Sequence, residues 1–413
     1  MSALILVAAF AAQATGTAGS STSSTEKSQS TLAGISTYVD LEAGAGYSSN
    51  PVQSLQSNTG AGFGRIGVHA VHTRLSERTS TVLSGFAQSQ FYTKHYGAEQ
   101  SVAISARHEA RVSEKLHLWG EIDTSYDKGG QLDTRIISVP DVPLIPGTIV
   151  PPPLLPPGSD FLSARGKHYN ANALFGGDLA LGALDSLNFN SGVQFVKFRT
   201  GNVETRYTTI PVSIGYNRQI NARASAGFRV SAEHTDYNGP TNFGVVTPQV
   251  TGQLRLSETM TLNGAVGVSF TRVDDGIEVR HSTGFAADVS LCSATLRGHF
   301  CARGSIDQTS ATSAGPAKSV NVGLDYSRQL DANQTLAFSL DANRYTSPTA
   351  FVVGTSFSRA TYFRAAADYS RRFGGRWYGG VNLAARKISE DGPDPKADVT
   401  GSLSIRYRIG DIQ

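Results

Sequence analysis

From about residue 36 onward, apolar and polar positions alternate with a period of two. The last segment shows it most clearly. Val399, Gly401, Leu403, Ile405, Tyr407 and Ile409 share one face of an extended chain, and Thr400, Ser402, Ser404, Arg406 and Arg408 share the other. Successive side chains of a strand point to opposite faces, so this pattern predicts a strand with one apolar and one polar side. The same alternation recurs over Ala222–Glu233, Thr261–Phe270 and Thr335–Asn343. No stretch of comparable length carries a helical period.

Turn signals punctuate the strands. They fall near Ser76-Glu77, Ser113-Glu114, Ala183–Asp185, Gln219–Asn221, Ser257-Glu258, Ala294-Thr295, Asp331–Asn333 and Gly374-Gly375, mostly about 35 to 42 residues apart. That interval holds a strand out, a loop and a strand back. The opposite strand ends meet longer, more polar segments, such as Asn50–Gly60, Thr309–Ala317 and Glu390–Lys396. Eight turns, with one strand before the first and one after the last, predict about eighteen strands (sixteen to twenty). Short turns at one end, long loops at the other and dyad alternation predict an all-β fold, a transmembrane antiparallel β-barrel. Lipid offers the backbone no hydrogen bonds, so a spanning sheet must close on itself. Tyr126, Tyr237, Tyr345 and Tyr362 near the loops, and Tyr216, Tyr326, Tyr369 and Trp377 near the turns, are expected to form two interfacial girdles. An even strand count puts both termini at the turn end, which in an outer membrane is the periplasm.

Composition narrows the alternatives. Charged residues make up 17% of the 413, against ~25% in ordinary soluble proteins. Two cysteines exclude a disulfide-dense scaffold, and a net charge of +3 gives no reason to expect a nucleic-acid partner. Beyond the N-terminus no apolar run reaches the ~18 residues of a membrane helix. Ala3–Ala12 is apolar and precedes Ala12-Gln13-Ala14, so residues 1–14 read as a signal peptide, though without a basic start. Residues 15–33, rich in Ser and Thr, are expected to be a disordered periplasmic tail. Residues 34–413 then form a single barrel, with a Pro-rich extracellular loop over 128–167 that holds half of the 16 prolines. Proline cannot donate to a sheet ladder, so that loop is expected to be a stiff lid, a docking arm or a spacer.

Gly44-Ala-Gly46-Tyr47-Ser-Ser-Asn50-Pro51-Val52 resembles the opening strand of outer-membrane β-barrel proteins of exopolysaccharide gene clusters, the β-barrel porin 2 group. Ser48 and Ser49 stand where acidic residues are common in that group. The resemblance implies a role in export or surface assembly of an exopolysaccharide. Outer-membrane lipid, an anionic polysaccharide and a periplasmic export partner would be the partners. A general or small-solute diffusion porin, and a surface barrel enzyme acting on lipid or glycan, are the alternative readings.

Candidate chemistry is sparse. Cys292 and Cys301 flank a hairpin centred between Leu296 and Arg297 and fall opposite each other, so a disulfide is expected. The polar faces carry charges of both signs. Arg364, Arg386, Arg406 and Arg408 on the last strands suggest a strip that could guide a carboxylate-bearing chain, with ordinary charge pairing as the alternative. Arg229 and Arg255 are further lumen candidates. His69 and His72, three apart, face opposite sides and cannot share a metal. No hydrolase elbow, zinc helix or P-loop motif occurs, so neither a catalytic set nor a cofactor is expected.

Overall fold

A computed structural model describes residues 34–410 except 52–58, 95, 129–165, 201–202, 238, 240, 310–316, 347–358 and 391–395. The signal peptide, the N-terminal tail and nearly all of the Pro-rich loop lie outside the described residues. The strands are β1 (Gly34–Ser48), β2 (Ala61–Leu75), β3 (Thr79–Tyr92), β4 (Ala98–Arg111), β5 (Leu116–Lys128), β6 (Lys167–Ala180), β7 (Asp185–Thr200), β8 (Val203–Asn221) and β9 (Ala224–Asp236). They continue as β10 (Asn242–Arg255), β11 (Met260–Asp274), β12 (Val279–Thr295), β13 (Gly298–Thr309), β14 (Ala317–Asp331), β15 (Gln334–Thr346), β16 (Arg359–Gly374), β17 (Trp377–Glu390) and β18 (Asp398–Gly410). Each pairs antiparallel with its neighbours in sequence, and β1 pairs with β18, so the eighteen-stranded sheet is a closed barrel. Closure leaves no strand edge unpaired.

Eight connections of two to four residues gather at one end with both ends of the described chain; this is the turn end. One turn falls slightly later than the sequence signals suggest: Ala222-Arg223 joins β8 to β9. Leu296-Arg297 joins β12 to β13, at the centre expected for the cysteine hairpin. In the first, Asn221 Oδ1 accepts the N–H groups of Arg223 and Ala224 at 2.8 and 2.9 Å, so the asparagine caps the turn from the strand side. At the loop end, Asp275 accepts the N–H groups of Glu278 and Ile277 at 2.7 and 3.0 Å. Those two donors hold its carboxyl below the usual carboxylate range.

Two prolines sit inside strands. The β7–β8 register is interrupted between Val212 and Thr209, around Pro211, and the β10–β11 register between Val246 and Gln249, around Pro248. A proline supplies no N–H, so each site loses part of its ladder on one side only. The other sides remain continuous, with Pro211 opposite Glu233 and Pro248 opposite Val230.

Candidate functional site

Alternation gives the barrel two unlike surfaces. Outward positions are apolar and exposed around the whole circumference. They include Ile66 on β2, Ile122 on β5, Ile214 on β8, Val250 on β10, Phe285 on β12 and Leu403 on β18. An apolar surface of that extent is far larger than a water-facing protein tolerates. At the turn end Trp377 packs on Tyr407 with ring centroids 4.8 Å apart, and Tyr216 on Phe228 at 5.9 Å. At the loop end Tyr126 packs on Tyr169 at 4.9 Å.

Tyr345 and Tyr362 do not join the outer girdle, contrary to the expectation from sequence. Tyr345 shares the parity of Asp341 and Asn343, and Tyr362 that of Arg364, so both rings point inward and are buried. The sequence signal gave their height along the strand, and the pleat decides the side. They belong to an inner layer at the loop end that also holds Phe63, Phe198, Tyr207, Phe243 and Ile388, all buried. His168 packs on Phe198 there at 4.6 Å, and Phe63 on Tyr92 at 5.9 Å.

Below this layer the inner wall is polar. One row of directly paired inward residues crosses ten strands, from Ser225 on β9 through Gln253, Asn263, Ser290, Arg303, Gly323, Asp341, Arg364 and Arg386 to Asp398 on β18. Because barrel strands are staggered, the row climbs from the turn end at β9 to the loop end at β18. Its first four members are neutral amides and hydroxyls, and the later ones, Gly323 apart, carry charges of both signs.

The arginine candidates occupy that charged stretch and the seam beyond it. Arg386 is buried and donates from Nε to Asp398 at 3.2 Å and from Nη2 to the Pro51 carbonyl at 2.7 Å. Asp398 also accepts the Ser48 hydroxyl at 2.7 Å, the Asn50 N–H at 2.9 Å and the Thr400 hydroxyl at 3.1 Å. The Tyr47–Pro51 segment is thus bound to the last strand. Gly46 is part of the same closure: a Cβ there would meet the Gly401 carbonyl at 2.3 Å and the Phe63 ring at 2.6 Å. Lower on the seam, Arg408 holds Asp40 with both prongs, at 2.8 and 2.9 Å, and lies 4.0 Å from the Tyr38 ring centroid. Arg406 reaches the same aspartate at 3.7 Å. Arg364 is buried between register partners Asp341 and Arg386. The arginines face the lumen, and Arg386, Arg406 and Arg408 are ion-paired.

Arg229 lies along the opposite wall, donating from Nε to Gln249 at 3.0 Å and from Nη2 to Asp288 at 2.9 Å. Arg255 closes β10 at the turn end and is exposed. Around Arg229 the wall from β5 to β12 is concave and open to solvent. Trp119, Asp178, Asn188, Asn190, Ser213, Ser225, Gln253 and Asn263 line it. Sequence reading missed this region because it followed charge, and amides and hydroxyls on a polar face look like ordinary filling. The spacing that singles them out exists only once the register is known.

No protein-family model matches the chain, and no curated protein does. Among solved structures, the chain is similar to the FrpB iron transporter from Neisseria meningitidis (F3-3 variant), at 10% identity and a TM-score of 0.44 over 91% of this chain and 81% of that one. It is also similar to Pseudomonas aeruginosa OpdQ, at 9% and 0.40 over 91% and 98%. A third is Pseudomonas aeruginosa OccK2 (OpdF) in complex with glucuronate, at 8% and 0.43 over 92% and 98%.

Cys292 and Cys301 are register partners on the inner face of β12 and β13, and their sulfurs are bonded. The bond closes a hairpin with a sequence separation of 9, so its expected contribution is about 2–3 kcal/mol by loop entropy. Denatured protein should take up a maleimide only after reduction, and Cys292→Ser should lower the urea midpoint accordingly. Labelling of unreduced protein would show that the bond does not form. His69 and His72 lie on opposite faces: His69 points inward, and His72 accepts or donates a 2.7 Å hydrogen bond with Thr37 outside. Among the described residues no group of three or more His, Cys, Asp or Glu side chains could hold a metal ion.

Proposed function

We propose that the protein is an outer-membrane channel that assists export or surface assembly of an exopolysaccharide. The observation that carries this reading is a closed barrel with an apolar exterior and an inner row of hydrogen-bonding side chains from one end to the other. The exterior suits hydrocarbon, and the closed ladder pairs the spanning backbone without water, with interruptions around Pro211 and Pro248. Inside, amides and hydroxyls offer both donors and acceptors, which can replace the hydration of a hydroxyl-rich chain as it passes. Both termini at the turn end suit a periplasmic side there, where an export partner would hand over cargo. The ion-paired arginines of the seam favour a neutral or weakly charged polymer over a strongly anionic one, because their charge is already met by Asp40 and Asp398.

The test is a clean deletion in the native host, assayed for secreted and cell-bound polysaccharide. Loss of secreted polymer, restored by the intact gene, is the expected result. Unchanged polymer would overturn the reading in favour of a small-solute porin.

A further inference from the structure

The β5–β12 cavity is more specific than a general polar lining. Trp119 on β5 is paired in register with Gly176 on β6, and the indole lies across that glycine. A Cβ at Gly176 would stand 2.7 Å from Trp119 Cζ2, so any other residue would push the ring off the wall. Arg107 Cζ lies 5.8 Å from the ring centroid, and its guanidinium is itself held by Glu109 at 2.7 Å and Glu121 at 3.2 Å. The indole is therefore a fixed, half-buried platform facing the cavity, and Trp119 is one of only two tryptophans in the chain.

The far side of the cavity is the neutral start of the inner row. Ser225, Gln253 and Asn263 stand on three successive strands in direct register, at ~4.8 Å spacing. Ser225 is 6% exposed, and its hydroxyl has no hydrogen-bond partner. Asn263 donates its amide N–H to Ser290 at 3.3 Å, while its carbonyl oxygen has no partner. A buried hydroxyl and a buried carbonyl left open cost stability unless a ligand or water completes them. Between platform and row, Asn190 donates to Ser213 at 3.1 Å. The charged side chains of the cavity wall are Arg229 and Asp288, which neutralise each other, and Asp178, which has the His117 ring at 3.7 Å.

We propose that this wall is a binding subsite for a neutral oligosaccharide. A sugar ring presents an apolar C–H face and a rim of hydroxyls. The face stacks on Trp119, whose π-cloud attracts the weakly positive C–H edge. The hydroxyls of units further along the chain are donors and acceptors at once, and complete Ser225 and Asn263. Trp119 and Ser225 are separated by four strand spacings, ~19 Å along the wall, so the occupant is a chain of several units rather than one sugar. The inference rests on the channel reading only in requiring an accessible lumen.

The test uses the full-length protein in planar bilayers, with a linear six-unit neutral glucan and an oligogalacturonate of the same length as probes. The neutral chain is expected to block ion current from the turn side. Trp119→Ala is expected to weaken that block roughly tenfold, equivalent to ~1.4 kcal/mol. Asn263→Leu, which cannot accept a hydroxyl proton, is expected to weaken it severalfold. Gel mobility before and after heating checks that each variant is folded, and Trp377→Phe protein lets Trp119 fluorescence report binding alone. No block by the neutral chain, equal block in the Trp119 variant, or block only by the oligogalacturonate would each overturn the subsite. Lost polymer export in the deletion strain with no neutral block would reject the subsite and keep the channel reading. Block without an export phenotype would keep the subsite and reject the export role.

Discussion

Asp398→Ala is expected to be the most damaging single change in the barrel, lowering stability by about 3–5 kcal/mol. Asp398 is 1% exposed and is the hub of the loop-end seam. Removing it takes the carboxylate away from the buried Arg386 guanidinium, and strips the acceptor from Ser48 and the Asn50 N–H. An uncompensated buried charge costs more than the pair was worth, which is why one-sided removal is so costly. The pairing at stake joins residues 350 apart in sequence, so its loss loosens the loop end of the seam between the first and last strands. The measurement is urea unfolding from lipid vesicles, with gel mobility as a second readout. Replacing Arg386 by Met in the Asp398→Ala protein should recover part of the loss, because the stranded charge is then gone. A shift of less than ~0.5 kcal/mol for Asp398→Ala would show that the seam is not held this way.

The second large effect tests the outer surface. Val250 and Thr251 are neighbours near the middle of β10, with Val250 outward and 63% exposed and Thr251 lining the cavity. Val250→Arg is expected to destabilise the barrel in vesicles by about 2–4 kcal/mol, the cost of a charge facing hydrocarbon near the midplane. Thr251→Arg is expected to cost under ~1 kcal/mol, because the new side chain enters a wet lumen beside the small residues Gly227 and Ala265. Equal, small effects in both would mean that the apolar face does not meet lipid. A larger effect at Thr251 would mean that the two faces have been assigned the wrong way round.

Legibility was uneven, and the unevenness has a physical cause. All eight tight turns were readable within about two residues, because turn chemistry and the end of alternation are both local. The strand number followed from them. So did the opposition of Cys292 and Cys301, since a short hairpin sets its own register. The inward direction of Arg229, Arg364, Arg386, Arg406 and Arg408 came from parity alone. Tyr345 and Tyr362 went astray where height was used without parity.

What the sequence by itself determined is therefore the fold class, the strand order and the face of most residues, all consequences of period two and nearest-neighbour hairpins. The tertiary structure alone decided the register of β1 against β18, the contacts of the Tyr47–Pro51 segment with Asp398 and Arg386, the laying of Trp119 on Gly176, and the row from Ser225 to Asp398. Each of these depends on the stagger accumulated around the whole barrel, which is a global quantity. No local window of the chain contains it, and a slip of one residue anywhere would exchange the lumen face for the lipid face.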